Sequence, residues 1–294
     1  MKLTVAIFVL SFAVAVSAQR RPLTIYLAGD STMANKADNR RPETGWGEYL
    51  QSQFDDSEVR VENHAVNGRS TKSFINEGRW QVIVDRLRPG DWVFIEFGHN
   101  DEKLDKPAVG AAANGEYRQN LIRMVRDVRA KKASALLMTS VARRRWNEKG
   151  NLVDTHGEWP DAVRKVAAEF KIPFVDMQKR SSAVLNSLGV EGSKKLFLIL
   201  APKEHPNYPD GLEDNTHFRA FGAEQMARQA ADGIRELRIK LAKYLIDDRG
   251  EDFHTRLLPA DFDGGFRMDG YWVWCGSTIK GDDGKYHMFA SRWP

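Results

Sequence analysis

Short apolar runs alternate with amphipathic stretches along most of this chain. The runs fall at residues 23–28, 59–66, 91–97, 134–140 and 172–176. Each has strand length, and most carry β-branched side chains. Between them the apolar spacing changes to that of a helix. Trp46, Tyr49, Leu50 and Phe54 share one face over Gly45–Phe54, and a second helix runs from Gly78 to Leu87 and stops at Arg88-Pro89-Gly90. Leu121, Ile122, Val125 and Val128 mark one face of Glu116–Lys131, and Pro160 suits the first turn of a helix reaching Phe170. A last helical pattern covers residues 219–247, with Phe221, Met226, Ile234, Leu237 and Leu241 apolar. Strands alternating with helices predict an α/β domain over residues 22–247, a three-layer α/β/α sandwich around a five-stranded parallel sheet.

Both ends of the chain break this pattern. Met1-Lys2, an apolar run from Leu3 to Val16, and Ser17-Ala18 read as a secretory signal over residues 1–18, with Val16 and Ala18 at the cut. The run falls short of the roughly 20 residues that a membrane span needs, and Gln19, not cysteine, follows the cut. The expectation is a secreted or periplasmic protein with no stable membrane anchor. Beyond Asp248 the composition becomes aromatic and glycine-rich. Over residues 261–294 two aromatic stretches flank Asp283-Gly284, a hairpin signal. A lone hairpin is marginal in water, so this tail reads as an incomplete β segment, the opening of a second domain.

Composition adds limits. A single cysteine, Cys275, cannot form an intrachain disulfide, so an exported protein of 294 residues relies on its core. The formal charge of +4 becomes +3 once Lys2 leaves with the signal. That modest excess suits a polyanionic partner. There is no zinc-ligand spacing, basic repeat or aromatic RNA-binding signature, so nucleic acid is not an expected partner. The oligomeric state is left open.

The chemistry sits where strands end. The first run closes in Gly29-Asp30-Ser31, delivering a serine to the carboxyl edge of the sheet, where open α/β sheets bind ligands. Three later segments follow in order: Asn67-Gly68-Arg69-Ser70, Gly98-His99-Asn100-Asp101 and Asp214-Asn215-Thr216-His217. Acyl transfer needs a nucleophile, a base, a group that orients the base, and oxyanion donors. Ser31, His217 and Asp214 supply the first three, with one turn carrying the Asp214 carboxylate to the imidazole. The Ser31 N–H, the Gly68 N–H and the Asn100 amide supply the donors, and no metal or organic cofactor is needed. Singly, each has an ordinary use: a serine or Asn-Gly in a turn, Asn100 or Asp214 as a cap. In order, each at the end of its element, they make a constellation. Of the other histidines, His64 is expected to be packed within its strand and His99 to shape its turn. His156 lies on a loop, His205 in a proline-rich loop, His254 near the boundary and His287 in the tail, with no metal-ligand spacing among them.

These segments resemble the four blocks of the SGNH (GDSL-like) hydrolases, whose serine, glycine, asparagine and histidine fall on Ser31, Gly68, Asn100 and His217, with Asp214 as triad acid. The resemblance implies a flavodoxin-like sheet and a serine esterase. The similarity extends to the rhamnogalacturonan acetylesterase group through Gly29-Asp30-Ser31-Thr32-Met33, Thr44-Gly45-Trp46-Gly47, Asn67-Gly68-Arg69-Ser70-Thr71, Gly98-His99-Asn100-Asp101, Val141-Ala142-Arg143-Arg144-Arg145-Trp146 and Asp154-Thr155-His156-Gly157. It covers residues 22–245. The Gly-x-Ser-x-Gly elbow of α/β-hydrolases is absent. The resemblance implies an acetylated acidic polysaccharide as substrate, with Trp46, Arg143, Arg144 and His156 as candidate contacts; arginine matches carboxylate geometry. The alternatives are an esterase on acetylated xylan or another glycan, and a silent carbohydrate-binding module using Trp46, Trp146 and Trp159. The tail, Gly265–Pro294, resembles the start of a family-43-like glycosidase propeller.

Overall fold

The computed structural model describes residues 21–246, 270, 272–281 and 284–293. Residues 1–18, where a signal is expected, and the stretch around Asp248 lie outside the described residues, as does His254. The chain divides into two compact units, Met1–Ile246 and Asp247–Pro294.

Five parallel strands form the sheet of the first unit: β1 (Leu23–Gly29), β2 (Val59–Asn63), β3 (Trp92–Glu96), β4 (Ser134–Met138) and β5 (Phe174–Val175). Their order is β2-β1-β3-β4-β5: the parallel sheet expected from the alternation, in the doubly wound, flavodoxin-like order that the family resemblance implies. Side chains leave a strand on alternate faces. Ile25, Leu27, Phe94 and Leu136 therefore join one core, and Tyr26, Ala28, Val93 and Leu137 the other. The second core is covered by helices α1 (Thr71–Asn76), α2 (Arg79–Arg86), α3 (Arg118–Ala130) and α4 (Trp159–Phe170). The first is covered by α5 (Met177–Gly192) and α6 (Ala220–Glu236).

Two local expectations change, and one helix, α5, has no counterpart in the predicted pattern. Gly45–Phe54 is not an α-helix but two 3₁₀ segments, Trp46–Tyr49 and Gln51–Gln53. The Trp46 and Gly47 N–H groups donate to the Thr32 and Met33 carbonyls, so the backbone is committed to the loop after β1. Helix α6 ends at Glu236, because Arg238 takes a left-handed φ of 50°; no glycine or proline marks that stop. Helix α5 carries no strong apolar period, and only Met177, Ser181 and Leu185 along it are buried.

A small antiparallel pair, β6 (Phe197–Leu200) and β7 (Leu212–Phe218), completes this unit. Its register jumps from Leu198↔Asp214 to Phe197↔Phe218, so residues 215–217 stand out of the ladder. In the second unit, β8 (Trp272–Lys280) and β9 (Tyr286–Trp293) form the hairpin anticipated from Asp283-Gly284. Two antiparallel strands are common to many β folds and do not distinguish a propeller blade.

Candidate active site

Strand order decides what meets at the carboxyl edge. β1 lies between β2 and β3, so the loops after these three strands converge. Ser31 lies just beyond β1 and is 8% exposed. Gly68 follows β2 with φ of 75°, which an L side chain rarely adopts, and a Cβ there would meet nothing within 4 Å. The backbone face at Gly68 is thus open to a ligand. Among the described residues, no hydrogen bond uses the Ser31 or Gly68 N–H. Asn100 follows β3 after Gly98, whose φ is 154° and where a Cβ would lie 2.4 Å from Ser140 Oγ.

His217 reaches this edge from the register jump in β7. Its Nε2 lies 2.8 Å from Ser31 Oγ, and its Nδ1 lies 2.7 Å from Asp214 Oδ2. A carboxylate only accepts, so Nδ1 carries the proton and bare Nε2 accepts from the serine hydroxyl. The other Asp214 oxygen accepts from the Thr216 and His217 N–H groups at 2.8 and 3.0 Å. Burial alone would raise the Asp214 pKa, but His217 and these N–H donors outweigh it and hold the group at about 2. Asp214 and His217 thus meet through a looped-out stretch of strand.

Two stitches hold the donor loops together. Asn100 Nδ2 donates to the Arg69 carbonyl at 3.1 Å. The buried Asp101 accepts from the Thr71 N–H at 3.0 Å and from its hydroxyl at 2.5 Å, at the first turn of α1. Lys36, which the sequence did not single out, adds a third tie. Its buried Nζ donates to the Ser31 carbonyl at 2.5 Å and to Asn67 Oδ1 at 2.6 Å, and it pairs with Glu43 at 2.8 Å. Burial pulls the Lys36 pKa down, opposed by Glu43.

Beneath the serine lies a buried acidic pair. Asp30 Oδ1 accepts from Thr32 Oγ1 at 2.9 Å, and that hydroxyl lies 3.4 Å from Glu96 Oε1. Burial and the Asp30 charge push Glu96 up to about 8. Burial would also raise Asp30, but His99, 3.3 Å away, and Thr32 hold it at about 2. His99 is buried and pushed down to about 4, chiefly by desolvation. It stacks edge-on against His156, with ring centroids 4.7 Å apart.

The candidate contacts separate. Ser31, Gly68, Asn100, Arg143 and His217 line one open pocket of about 390 Å³, together with Arg40, Glu43 and Lys103. Arg143 pairs with Glu102 and donates to Thr155. Trp46 is fully buried and donates to Glu96 Oε2 at 2.7 Å, so it offers no face to a sugar. Arg144 is also buried, with its guanidinium spent on Ser193, Asn215 and the Val190 carbonyl; it grips the His217 loop from behind. His156 is 2% exposed, with its ring nitrogens on Glu102 and the Val141 carbonyl. These three are corrections: an aromatic, an arginine and a histidine in loops read as surface groups until their partners are known. Trp159 is likewise engaged, donating to the Ala111 carbonyl at 3.0 Å. His64 lies just past β2 beside Glu62 and Tyr26, and His205 forms a bridge with Tyr208. Among the described residues, no group of three or more His, Cys, Asp or Glu side chains is placed to hold a metal ion.

Comparison with known proteins agrees with this geometry. Residues 27–225 match the GDSL-like Lipase/Acylhydrolase family. The chain is 40% identical over 233 residues to the rhamnogalacturonan acetylesterase RhgT of Bacillus subtilis, covering 79% of this chain and 98% of that protein. It is 30% identical to a rhamnogalacturonan acetylesterase of Emericella nidulans, covering 69% of this chain and 81% of the other. Among solved structures, the YxiM protein of Bacillus subtilis superposes with a TM-score of 0.65 at 26% identity, over 75% of this chain and 58% of that one. Axe2, an acetylxylan esterase from Geobacillus stearothermophilus, shares the fold at a TM-score of 0.50 and 21% identity, over 74% of this chain and 95% of its own. With strand-end blocks, sheet order and sequence in agreement, the chain belongs to the GDSL-like lipase/acylhydrolase family and is a carboxylic ester hydrolase.

Proposed function

We propose that this chain is an exported carbohydrate esterase that removes acetyl groups from an acidic plant cell-wall polysaccharide, acetylated rhamnogalacturonan, through an acetyl-enzyme. The observation that carries the chemistry is the continuous hydrogen-bonded line from Ser31 Oγ through His217 to Asp214. Ser31 Oγ attacks the acetyl carbonyl while His217 Nε2 takes its proton. Negative charge on the carbonyl oxygen is met by the Ser31 and Gly68 N–H groups and by Asn100 Nδ2. Collapse breaks the bond to the sugar oxygen, which leaves with the proton from His217. Water then attacks the acetyl-enzyme by the same route, with His217 as base, and acetate departs.

The substrate class rests on two supports. The relatives named above with 30% identity or more are rhamnogalacturonan acetylesterases. Arg143 and Arg40 line the pocket, and arginine pairs well with carboxylates. Export rests on the signal-like residues 1–18. For residues 265–294 the propeller resemblance stays a proposal that rests on the aromatic, glycine-rich sequence, since the β8–β9 hairpin is common to many β folds. The test is acetate release from acetylated rhamnogalacturonan and from acetylated xylan, with Ser31→Ala as control. Preference for the pectic substrate, lost in a folded Ser31→Ala variant, supports the proposal. Preference for xylan would move the assignment to that glycan, and retained activity in Ser31→Ala would remove the nucleophile.

A further inference from the structure

Lys103 lines the same pocket, three residues after Asn100. Its backbone N–H donates to the Asn100 carbonyl at 3.1 Å, closing a turn that brings the two side chains together. Its Nζ then donates to Asn100 Oδ1 at 2.7 Å. Among the described residues no carboxylate pairs with this ammonium; Glu102 is taken by Arg143 and Glu43 by Lys36 and Arg40. The loop is tightly built behind it, since a Cβ on Gly110 would come within 2.5 Å of the Lys103 carbonyl oxygen.

An asparagine amide can sit either way round in a pocket. Here both ends are fixed by chemistry that cannot be exchanged. The Arg69 carbonyl can only accept, so it takes one Nδ2 hydrogen. The Lys103 ammonium can only donate, so it takes Oδ1. The remaining Nδ2 hydrogen is left for the pocket. A cation on Oδ1 also draws electron density through the amide and makes that N–H a stronger donor.

We propose that Lys103 is a positioning residue for the oxyanion hole: it locks the Asn100 amide in its donating orientation and lends it positive charge as the tetrahedral intermediate forms. This deepens the esterase reading and rests on Asn100 acting as an oxyanion donor. The charge lies about 6 Å from the oxyanion, counting the amide and one further hydrogen bond. At an effective dielectric of about 20, that is worth about a hundredfold in rate, and solvent around a partly buried lysine cuts it to about tenfold.

The experiment compares kcat and KM on a neutral chromogenic acetate ester for Lys103→Met, Lys103→Arg, Asn100→Ala and the double variant Lys103→Met/Asn100→Ala. Thermal unfolding checks that each is folded. Lys103→Met is expected to lose about tenfold in kcat with KM unchanged, and Lys103→Arg to stay within about threefold of the parent. Asn100→Ala loses about 100- to 1000-fold. On that background Lys103→Met costs almost nothing further, because the group it acts through is gone. If Lys103→Met costs the same factor with and without Asn100, or leaves kcat on the neutral ester intact while raising KM on acetylated rhamnogalacturonan, the inference fails. The lysine would then be an independent or substrate-binding cation. If Asn100→Ala itself leaves kcat unchanged, the oxyanion assignment fails, and that result is distinct from a silent Lys103→Met beside an impaired Asn100→Ala.

Discussion

Asp214→Asn isolates the charge of the triad from its shape. The asparagine keeps Oδ1 as acceptor for the Thr216 and His217 N–H groups, so the looped-out segment holds its form. What changes is the atom 2.7 Å from His217 Nδ1. An amide nitrogen there donates, which favours the tautomer with hydrogen on Nε2, and that hydrogen points at the Ser31 hydroxyl it should receive from. The ion pair formed when His217 takes the serine proton is lost as well. Centres of charge about 4 Å apart are worth about 4 kcal/mol at an effective dielectric near 20. The two side chains are 27% and 24% exposed, so screening trims this to about 3 kcal/mol. That corresponds to a fall in kcat of between about 100- and 1000-fold. The assay is kcat on a chromogenic acetate ester from pH 5 to 9. Asp214 is held at about 2 in the parent, so its charge persists across that whole range. The loss in Asp214→Asn is therefore expected at every pH across it. A folded Asp214→Asn enzyme keeping more than about a third of parental kcat, a loss below about 0.7 kcal/mol, would refute the orienting role.

Lys36→Met removes the cation that ties Ser31, Asn67 and Glu43 together. Loss of one partner of a buried pair costs about 3 kcal/mol, visible in denaturant unfolding, and adding Glu43→Gln restores part of it; equal stability of Lys36→Met and parent would contradict the tie. Glu96 sits at about 8 in the folded protein against an ordinary 4.5. A raised carboxyl keeps its proton when folded and releases it when unfolded, so parental stability falls as pH climbs from about 5 to 8, by at most about 1.4 kcal/mol per pH unit. Glu96→Gln removes that slope whatever it does to absolute stability, and an unchanged slope in the variant would place the titration elsewhere. Deleting residues 247–294 leaves kcat on the acetate ester unchanged and improves solubility, measured on purified protein. Loss of activity in a soluble deletion would show that this unit completes the site or the core.

The alternation of buried runs and helical faces was enough to specify a parallel α/β sheet, because period and burial are properties of neighbouring residues. It also located Ser31, Gly68 and Asn100 at strand ends, since a glycine- and polar-rich turn after an apolar run is a local signal. What lay beyond it depends on partners distant in the chain. Nothing near Trp46 shows that its indole meets Glu96, 50 positions away, and so an aromatic suited to a sugar face is instead part of the core. Arg144 and His156 became braces, and Lys36 and Lys103 became parts of the site, for the same reason: a lone charged residue in a loop carries no periodicity, and its role is set by which carbonyl or carboxylate the fold brings to it. The stop of α6 at Arg238 and the 3₁₀ turns after Gly45 follow from backbone geometry and tertiary hydrogen bonds that composition does not encode. His217 meets Ser31 across 186 positions. The sequence supplied both side chains in order, but only a sheet with β1 between β2 and β3, and a strand that loops out at residues 215–217, brings them within a hydrogen bond.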